Sequence, residues 1–249
     1  MSTEVFNAYS RYYDLLYLDK NYSGEVDYIK SLLRRHSVTQ GEILEFGSGT
    51  GKHGRLLAED GYTVHGIERS AEMVGLAKQE RGFTCEVGDI CNIQLNRNFD
   101  VVLSLFHVVS YQITNANLNA VFDSAVQHLR SGGLFIFDFW YTPAVFLNKP
   151  SVRVKRMADK DIEIVRIAEP TIHINENRVD VGYTIFATDR STGKVETLEE
   201  MHPMRHFSLL EIELVAIQHG FKVIGSEEFL SGSKPSEHTW GVCVILEKE

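Results

Sequence analysis

Apolar residues in the first part of the chain fall in short continuous runs: Ile43-Leu44-Glu45-Phe46, Tyr62 to Glu68, Phe83 to Val87, Phe99 to Leu105 and Gly133 to Phe139. Runs of this length, bounded by glycine and polar residues, predict buried strands near 43–47, 62–68, 83–88, 99–105 and 133–139. Between them the spacing predicts helices near 53–60, 70–81 and 117–130, each ending close to a glycine. Ser70 is a candidate N-cap for the second, with Glu72 in its first turn. A helix over 23–35 precedes the series, with Val26, Ile29, Leu32 and Leu33 as its buried stripe. Alternation of this kind implies a parallel sheet covered on both faces.

The pattern changes over residues 150–207. Val152/Val154, Ile162/Ile164, Ile172/Ile174 and Val179/Val181/Tyr183/Ile185 are period-2 runs, separated by the polar turns Asn175-Glu176-Asn177 and Arg190-Ser191-Thr192-Gly193. They predict an inserted antiparallel sheet, a cap over a cleft or a dimer surface. Ser208-Leu209-Leu210-Glu211 then reads as a capping box opening a helix over 208–219, and strands near 221–229 and 239–246 finish the main sheet. The expected fold class is α/β, a seven-stranded mostly parallel doubly wound sheet. Its core comprises residues 1–149 and 207–249, and an antiparallel β subdomain is inserted at 150–206.

Chemistry concentrates where the strands end. In Glu45-Phe46-Gly47-Ser48-Gly49-Thr50-Gly51, glycine takes every second position between the first strand and the next helix. Glycine is needed where φ is positive or where a ligand must touch the main chain, and the helix start offers free N–H groups. Glu68 closes the second strand about twenty residues on, placed to accept both hydroxyls of an adenosine ribose. Asp89, in Gly88-Asp89-Ile90 after the third strand, can face the amino edge of an adenine. Ligands of such sheets lie at the carboxyl ends of the strands, so one cleft should collect these residues.

The glycines also fit Gly49-x-Gly51-x-x-Gly54, the dinucleotide fingerprint. That parse leaves Glu45 without a role and puts Gly54 inside the helix. A carboxylate before the loop suits a cationic ligand and repels a diphosphate. S-adenosylmethionine, with its ammonium and sulfonium, therefore fits better than NAD; an NAD-dependent oxidoreductase is the competing reading.

Residues 43–140 resemble a class I S-adenosylmethionine-dependent methyltransferase, through Glu45 to Gly51, Glu68, Gly88-Asp89 and Phe99-Asp100-Val101-Val102. More closely, the chain is similar to bacterial enzymes that N-methylate nucleotide-linked amino sugars, as in desosamine and mycaminose formation. That likeness adds Tyr13-Asp14-Leu15-Leu16-Tyr17, Ser104-Leu105-Phe106 with Ser110 and Tyr111, and Trp140 with Pro143 and Phe146. The resemblance implies a Rossmann-like methyltransferase fold with residues 1–35 as a helical lid. It implies donor contacts from Tyr13, Tyr17, Glu45, Gly47, Gly49, Gly51, Glu68, Arg69, Asp89, Ile90 and Leu105. On the acceptor side stand Phe106, Tyr111, Trp140 and Tyr141, whose rings either stack on a substrate or wall the core. Arg205 is similar to an arginine that many small-molecule methyltransferases keep, and His238 lies in a turn-rich candidate rim, 231–238. His107 departs from the small hydroxyl residue common in the amino-sugar enzymes; it is the candidate general base or amine-orienting group.

Several groups read as structural. His128, in a last helical turn, suits the dipole, and Arg153, Lys155 and Arg156 read as a solvated edge strand. Tyr9, Tyr13 and Tyr17 share one helical face. His202 and His206 suit a metal only on a helix, which Pro203 argues against, so no metal is expected. Cys85, Cys91 and Cys243 form neither metal spacing nor an even disulfide set. A net charge of -9 disfavours nucleic acid as a partner. No apolar run approaches ~18 residues, so no membrane partner and a cytoplasmic location are expected. The expected partner is a small-molecule acceptor, and a homodimer through the inserted sheet is left open. The expected reaction is methyl transfer to an amine of a nucleotide-linked sugar, with O-methylation of a small hydroxylated metabolite, His107 as base, as the alternative.

Overall fold

A computed structural model describes residues 10–249, with side chains from Tyr12 onward. The first elements are α1 (Ser10–Leu16), α2 (Tyr22–Arg35), β1 (Glu42–Phe46), α3 (Lys52–Glu59), β2 (Thr63–Glu68), α4 (Ala71–Leu76), β3 (Phe83–Val87) and β4 (Phe99–Ser104). A short 3-10 turn, Val108–Tyr111, leads to α5 (Asn115–His128), β5 (Leu129–Trp140) and α6 (Thr142–Leu147). Then come β6 (Arg153–Ala158), β7 (Ile162–His173), β8 (Arg178–Asp189), β9 (Val195–Arg205), α7 (Leu209–Gln218), β10 (Phe221–Glu228) and β11 (Gly241–Lys248).

Seven strands form the main sheet in the order β10-β11-β5-β4-β1-β2-β3, and β6-β7-β8-β9 form a second sheet. In the main sheet only β11 runs against its neighbours. One apolar layer, with Phe122, Phe135, Phe137 and Phe221, lies under α5 and α7. The other, with Ile29, Leu33, Leu57 and Phe83, lies under α2 and α3. Burial on both faces is why these strands read as unbroken apolar runs. Every strand of the second sheet is antiparallel to the next. Pro170 lies beyond the end of the β6–β7 ladder and Pro203 lies on the edge strand β9, where a missing N–H breaks no central ladder.

Element boundaries differ from expectation in instructive places. The helix expected over 70–81 stops at Leu76, although Ser70 caps it by accepting from the Met73 N–H. Met73 is its one buried residue, so the polar run Lys78 to Arg81 has no face to bury and turns instead. Leu129 to Gly133, where the spacing predicts the end of a helix and the start of a strand, is part of β5: Phe99 pairs with Leu129 and Val101 with Leu134, leaving the residues between as a bulge. α6 and β9 were not foreseen, because neither carries a clean apolar period. Ser208 caps α7 by accepting from the Glu211 N–H, but the Glu211 carboxylate takes Arg205 instead, so one arm of the expected capping box forms.

The second sheet carries the lid segment. Tyr12 and Leu16 of α1 are buried against Ile164, Ile185 and Ala187. Lys155 on edge strand β6 pairs with Asp19 at 2.6 Å, and Arg166 donates to the Tyr17 hydroxyl at 3.2 Å. Asp14 ties the same helix to the glycine loop through Thr50 (3.1 Å) and Lys52 (2.9 Å). Tyr9, the first ring of the predicted stripe, lies outside the described residues.

Candidate active site

The glycine loop is built on positive φ: Gly47 at 72°, Gly49 at 54° and Gly51 at 75°. A Cβ at Gly47 would lie 2.5 Å from Val108, and one at Gly51 2.5 Å from the Phe83 ring, so both positions also need close approach. At Gly49 the nearest atom is 3.8 Å away, and the space before it is open. Gly54 proves to be a packing glycine, since a Cβ there would meet Phe83 at 2.4 Å and Glu45 Oε2 at 2.7 Å.

Three carboxylates follow the strand ends. Glu45 is 2% exposed, and its Oε2 has no hydrogen-bond partner. Burial, then the nearby Glu68 charge, raises its pKa to about 8. Glu68 accepts from the N–H groups of Gly49 (3.0 Å) and Ser70 (2.8 Å), bracing the loop against the start of α4. Burial raises its pKa, with those donors acting in the opposite sense. Asp89 accepts from the Cys91 N–H at 2.9 Å. Ile90 is buried beside it and Arg69 is exposed.

Beyond β4 the backbone bends through two left-handed non-glycine residues, Phe106 (φ 65°) and His107 (φ 62°), after the buried Leu105. Such residues cost on the order of 1–3 kcal/mol each and persist only where the surroundings enforce them. Here Asp138, buried in β5, does so: it accepts from the His107 N–H at 3.2 Å and lies 2.7 Å from His107 Nδ1. That second contact is close yet poorly aligned for a hydrogen bond. Burial alone would raise the Asp138 pKa; the nearby His107 ring and the His107 backbone N–H outweigh it and lower it. With Nδ1 at Asp138, Nε2 is the ring nitrogen available for chemistry.

The acceptor-side aromatics separate. Trp140 lies edge-on to His107 at 6.1 Å and to Trp240 at 6.2 Å. Tyr141, the next residue, packs on the main core instead, as side chains on opposite faces of a strand must. Tyr17 meets Phe106 edge-on at 5.2 Å and Tyr13 at 4.6 Å. The Tyr111 hydroxyl is 2.8 Å from His202 Nδ1, and His202 Nε2 is 3.1 Å from Glu200. An ionised carboxylate only accepts, so Nε2 carries the proton and the phenol donates to Nδ1. Arg205 is not directed to this cluster: its guanidinium is held by Glu211 at 2.5 Å and lies over Phe207. His238 is exposed, with Asn148 at 3.5 Å.

Sequence reasoning gave no role to Lys20, Glu25, His53, Asp138 or Glu200. Asp138 carried a signal, a carboxylate inside an apolar run; the others did not. His53, buried at the start of α3, lies 2.6 Å from Glu25 and 3.9 Å from Glu45, and burial lowers its pKa. His206 bonds Thr142 at 2.9 Å, and burial lowers its pKa to about 4.

A seven-stranded sheet with one reversed strand, and a glycine loop and carboxylates at its carboxyl ends, define a methyltransferase of the Rossmann-like class. Residues 43–133 match the methyltransferase domain family. Over 223 residues the chain is 26% identical to dTDP-3-amino-3,6-dideoxy-alpha-D-glucopyranose N,N-dimethyltransferase of Streptomyces fradiae, covering 88% of this chain and 84% of that one. Over 224 residues it is 28% identical to dTDP-3-amino-3,4,6-trideoxy-alpha-D-glucopyranose N,N-dimethyltransferase of Streptomyces venezuelae, covering 88% and 91%. The solved structure of Streptomyces venezuelae DesVI superposes with a TM-score of 0.80 at 24% identity, over 95% of this chain and 97% of that one.

The cofactor is S-adenosylmethionine, and the residues present fit it. The partnerless buried oxygen of Glu45 suits an ammonium, and Glu68 suits a pair of hydroxyls. Among the described residues no helix is long and apolar enough to cross a membrane.

Proposed function

We propose that the protein transfers methyl groups from S-adenosylmethionine to the amino group of a nucleotide-linked amino sugar. What carries this reading is that the amino-sugar relatives align over 88% of the chain, well beyond the methyltransferase domain match. The bound donor supplies a methyl carbon made electrophilic by its sulfonium. In-line attack requires chiefly alignment, and the strained Phe106–His107 turn provides a fixed wall for it. Glu45, Glu68, Asp89 and the glycine loop hold the donor, with Tyr13, Tyr17, Arg69, Ile90 and Leu105 around it. Phe106, Tyr111 and Trp140 face the acceptor. His107, held by Asp138, orients the amine through Nε2 and takes the proton that the new ammonium releases. Tyr141, Arg205 and His238 have no direct part in this reading. Residues 150–206 act as the cap that mounts the lid.

Methyl transfer to dTDP-3-amino-3,6-dideoxy-glucose, followed by mass spectrometry, tests the proposal. Singly and doubly methylated product is expected. Methylation of a hydroxylated analogue with none of the amino sugar would overturn it.

A further inference from the structure

Two buried ionisable groups have no part in the reaction described so far. Glu200 and His202 stand two residues apart on β9, so they share one face of the strand, and their side chains are 6% and 3% exposed. Burying a carboxylate beside an imidazole contributes little to stability that an apolar pair of similar volume would not, so packing alone does not account for them. The imidazole is clamped by two rings, Tyr183 edge-on at 4.8 Å and Tyr111 at 5.9 Å. Its Nε2 faces Glu200 at 3.1 Å and its Nδ1 the Tyr111 hydroxyl at 2.8 Å. Because Nε2 carries the proton, Nδ1 takes the phenol's hydrogen, and toward any further group the phenol oxygen can act only as an acceptor. Burial pushes the Tyr111 pKa well above its ordinary value, so the phenol stays protonated. The same wall continues to His107: Tyr183 shares an apolar cluster with Trp140, and Trp140 lies against His107.

We propose that His202, fixed by Glu200, is a positioning residue that holds the Tyr111 hydroxyl as a hydrogen-bond acceptor for the sugar amine. The inference rests on the amine reading above and adds two residues to it. A neutral primary amine has two N–H groups and one lone pair. His107 Nε2 takes one N–H and the Tyr111 oxygen the other, which leaves the lone pair for the methyl carbon. A phenol released from His202 would turn its own O–H to that lone pair and block attack. Glu200 sets the direction of the whole chain, since its carboxylate decides which imidazole nitrogen carries the proton.

Steady-state kinetics with dTDP-3-amino-3,6-dideoxy-glucose, alongside calorimetry with S-adenosylhomocysteine, tests the arrangement. His202→Leu should lower kcat by about tenfold or more while affinity for S-adenosylhomocysteine stays within about threefold. Adding Tyr111→Phe to His202→Leu should make the enzyme no slower, because the misdirected hydroxyl is gone; a purely structural role would make the two losses multiply. His202→Asn, whose Oδ1 can accept from the phenol where Nδ1 does, should keep kcat within about threefold of wild type. Glu200→Gln, which lets Nε2 lose its proton to Nδ1, serves should the leucine variant fail to fold, and a kcat lower by about threefold or more is expected. Losses that multiply, an asparagine variant as slow as the leucine one, or a kcat unchanged by His202→Leu or Glu200→Gln would overturn the proposal. Wild type that binds S-adenosylhomocysteine yet leaves the amino sugar unmethylated would overturn the amine reading itself, and this proposal with it.

Discussion

The donor half and the acceptor half of the proposed site are made in opposite ways. On the donor side, Glu45 to Gly51, Glu68 and Asp89 come from the consecutive elements β1 to β3. Backbone N–H groups, positive-φ glycines and carboxylates at strand ends do the work. On the acceptor side, Phe106, His107 and Tyr111 come from one loop, Asp138 and Trp140 from β5, Tyr183 and His202 from the second sheet, and Trp240 from the approach to β11. Side chains meet there only because two sheets and a lid converge. The first design is fixed by sheet topology and should tolerate little change. The second can be altered by exchanging rings without touching donor binding.

Glu68→Ala is the severest test of that contrast. It removes an acceptor shared by the Gly49 and Ser70 N–H groups, together with the proposed anchor of a ribose. At roughly 1.5–3 kcal/mol for each of two charge-assisted bonds, affinity for S-adenosylhomocysteine should fall by at least about 100-fold by calorimetry. A loss below about tenfold would move the ribose elsewhere.

His107→Asn should leave that affinity within about threefold while turnover falls by about 100-fold. Loss of donor binding in this variant would break the division into halves. A fall in turnover below about threefold would reduce His107 to a bystander.

Glu45 couples stability to binding. Its pKa of about 8 in the fold stands above its ordinary 4.5, so its contribution to stability is complete below pH 4.5 and is lost as pH rises through 8. Glu45→Gln should therefore raise the melting temperature of the ligand-free protein at pH 7–8 and change it little at pH 4. The stabilisation is on the order of 3 kcal/mol at pH 7. The same variant should bind S-adenosylhomocysteine about tenfold more weakly. In wild type, binding an ammonium beside Glu45 should release protons below pH 8, so affinity should rise with pH up to that point. Calorimetry in buffers of different ionisation enthalpy measures the release; none at pH 7 would detach Glu45 from the ligand.

The smallest effect is expected at Arg205. Its guanidinium is committed to Glu211 and Phe207, so Arg205→Lys should change the acceptor KM by less than about threefold in steady-state kinetics. A larger change would return it to the acceptor side.

Trp140 and Tyr141 show how far the sequence could be read. Both stood as acceptor contacts on their place after the fifth strand, yet adjacent extended residues face opposite ways, and only Trp140 lies against His107. Tyr17 illustrates a different gap. Its likeness to a lid residue was legible, but its seat against Arg166 depends on a strand about 150 residues away along the chain that no local period links to it.

By itself the sequence determined the order of strands and helices, the glycine loop and the acidic strand ends, because these depend on local backbone freedom and on apolar periodicity. Tertiary structure alone decided that Asp138 holds His107 and that the second sheet packs against α1. Each of those is a pairing of groups from distant segments, set by which faces the packed sheets bury and not by any spacing along the chain.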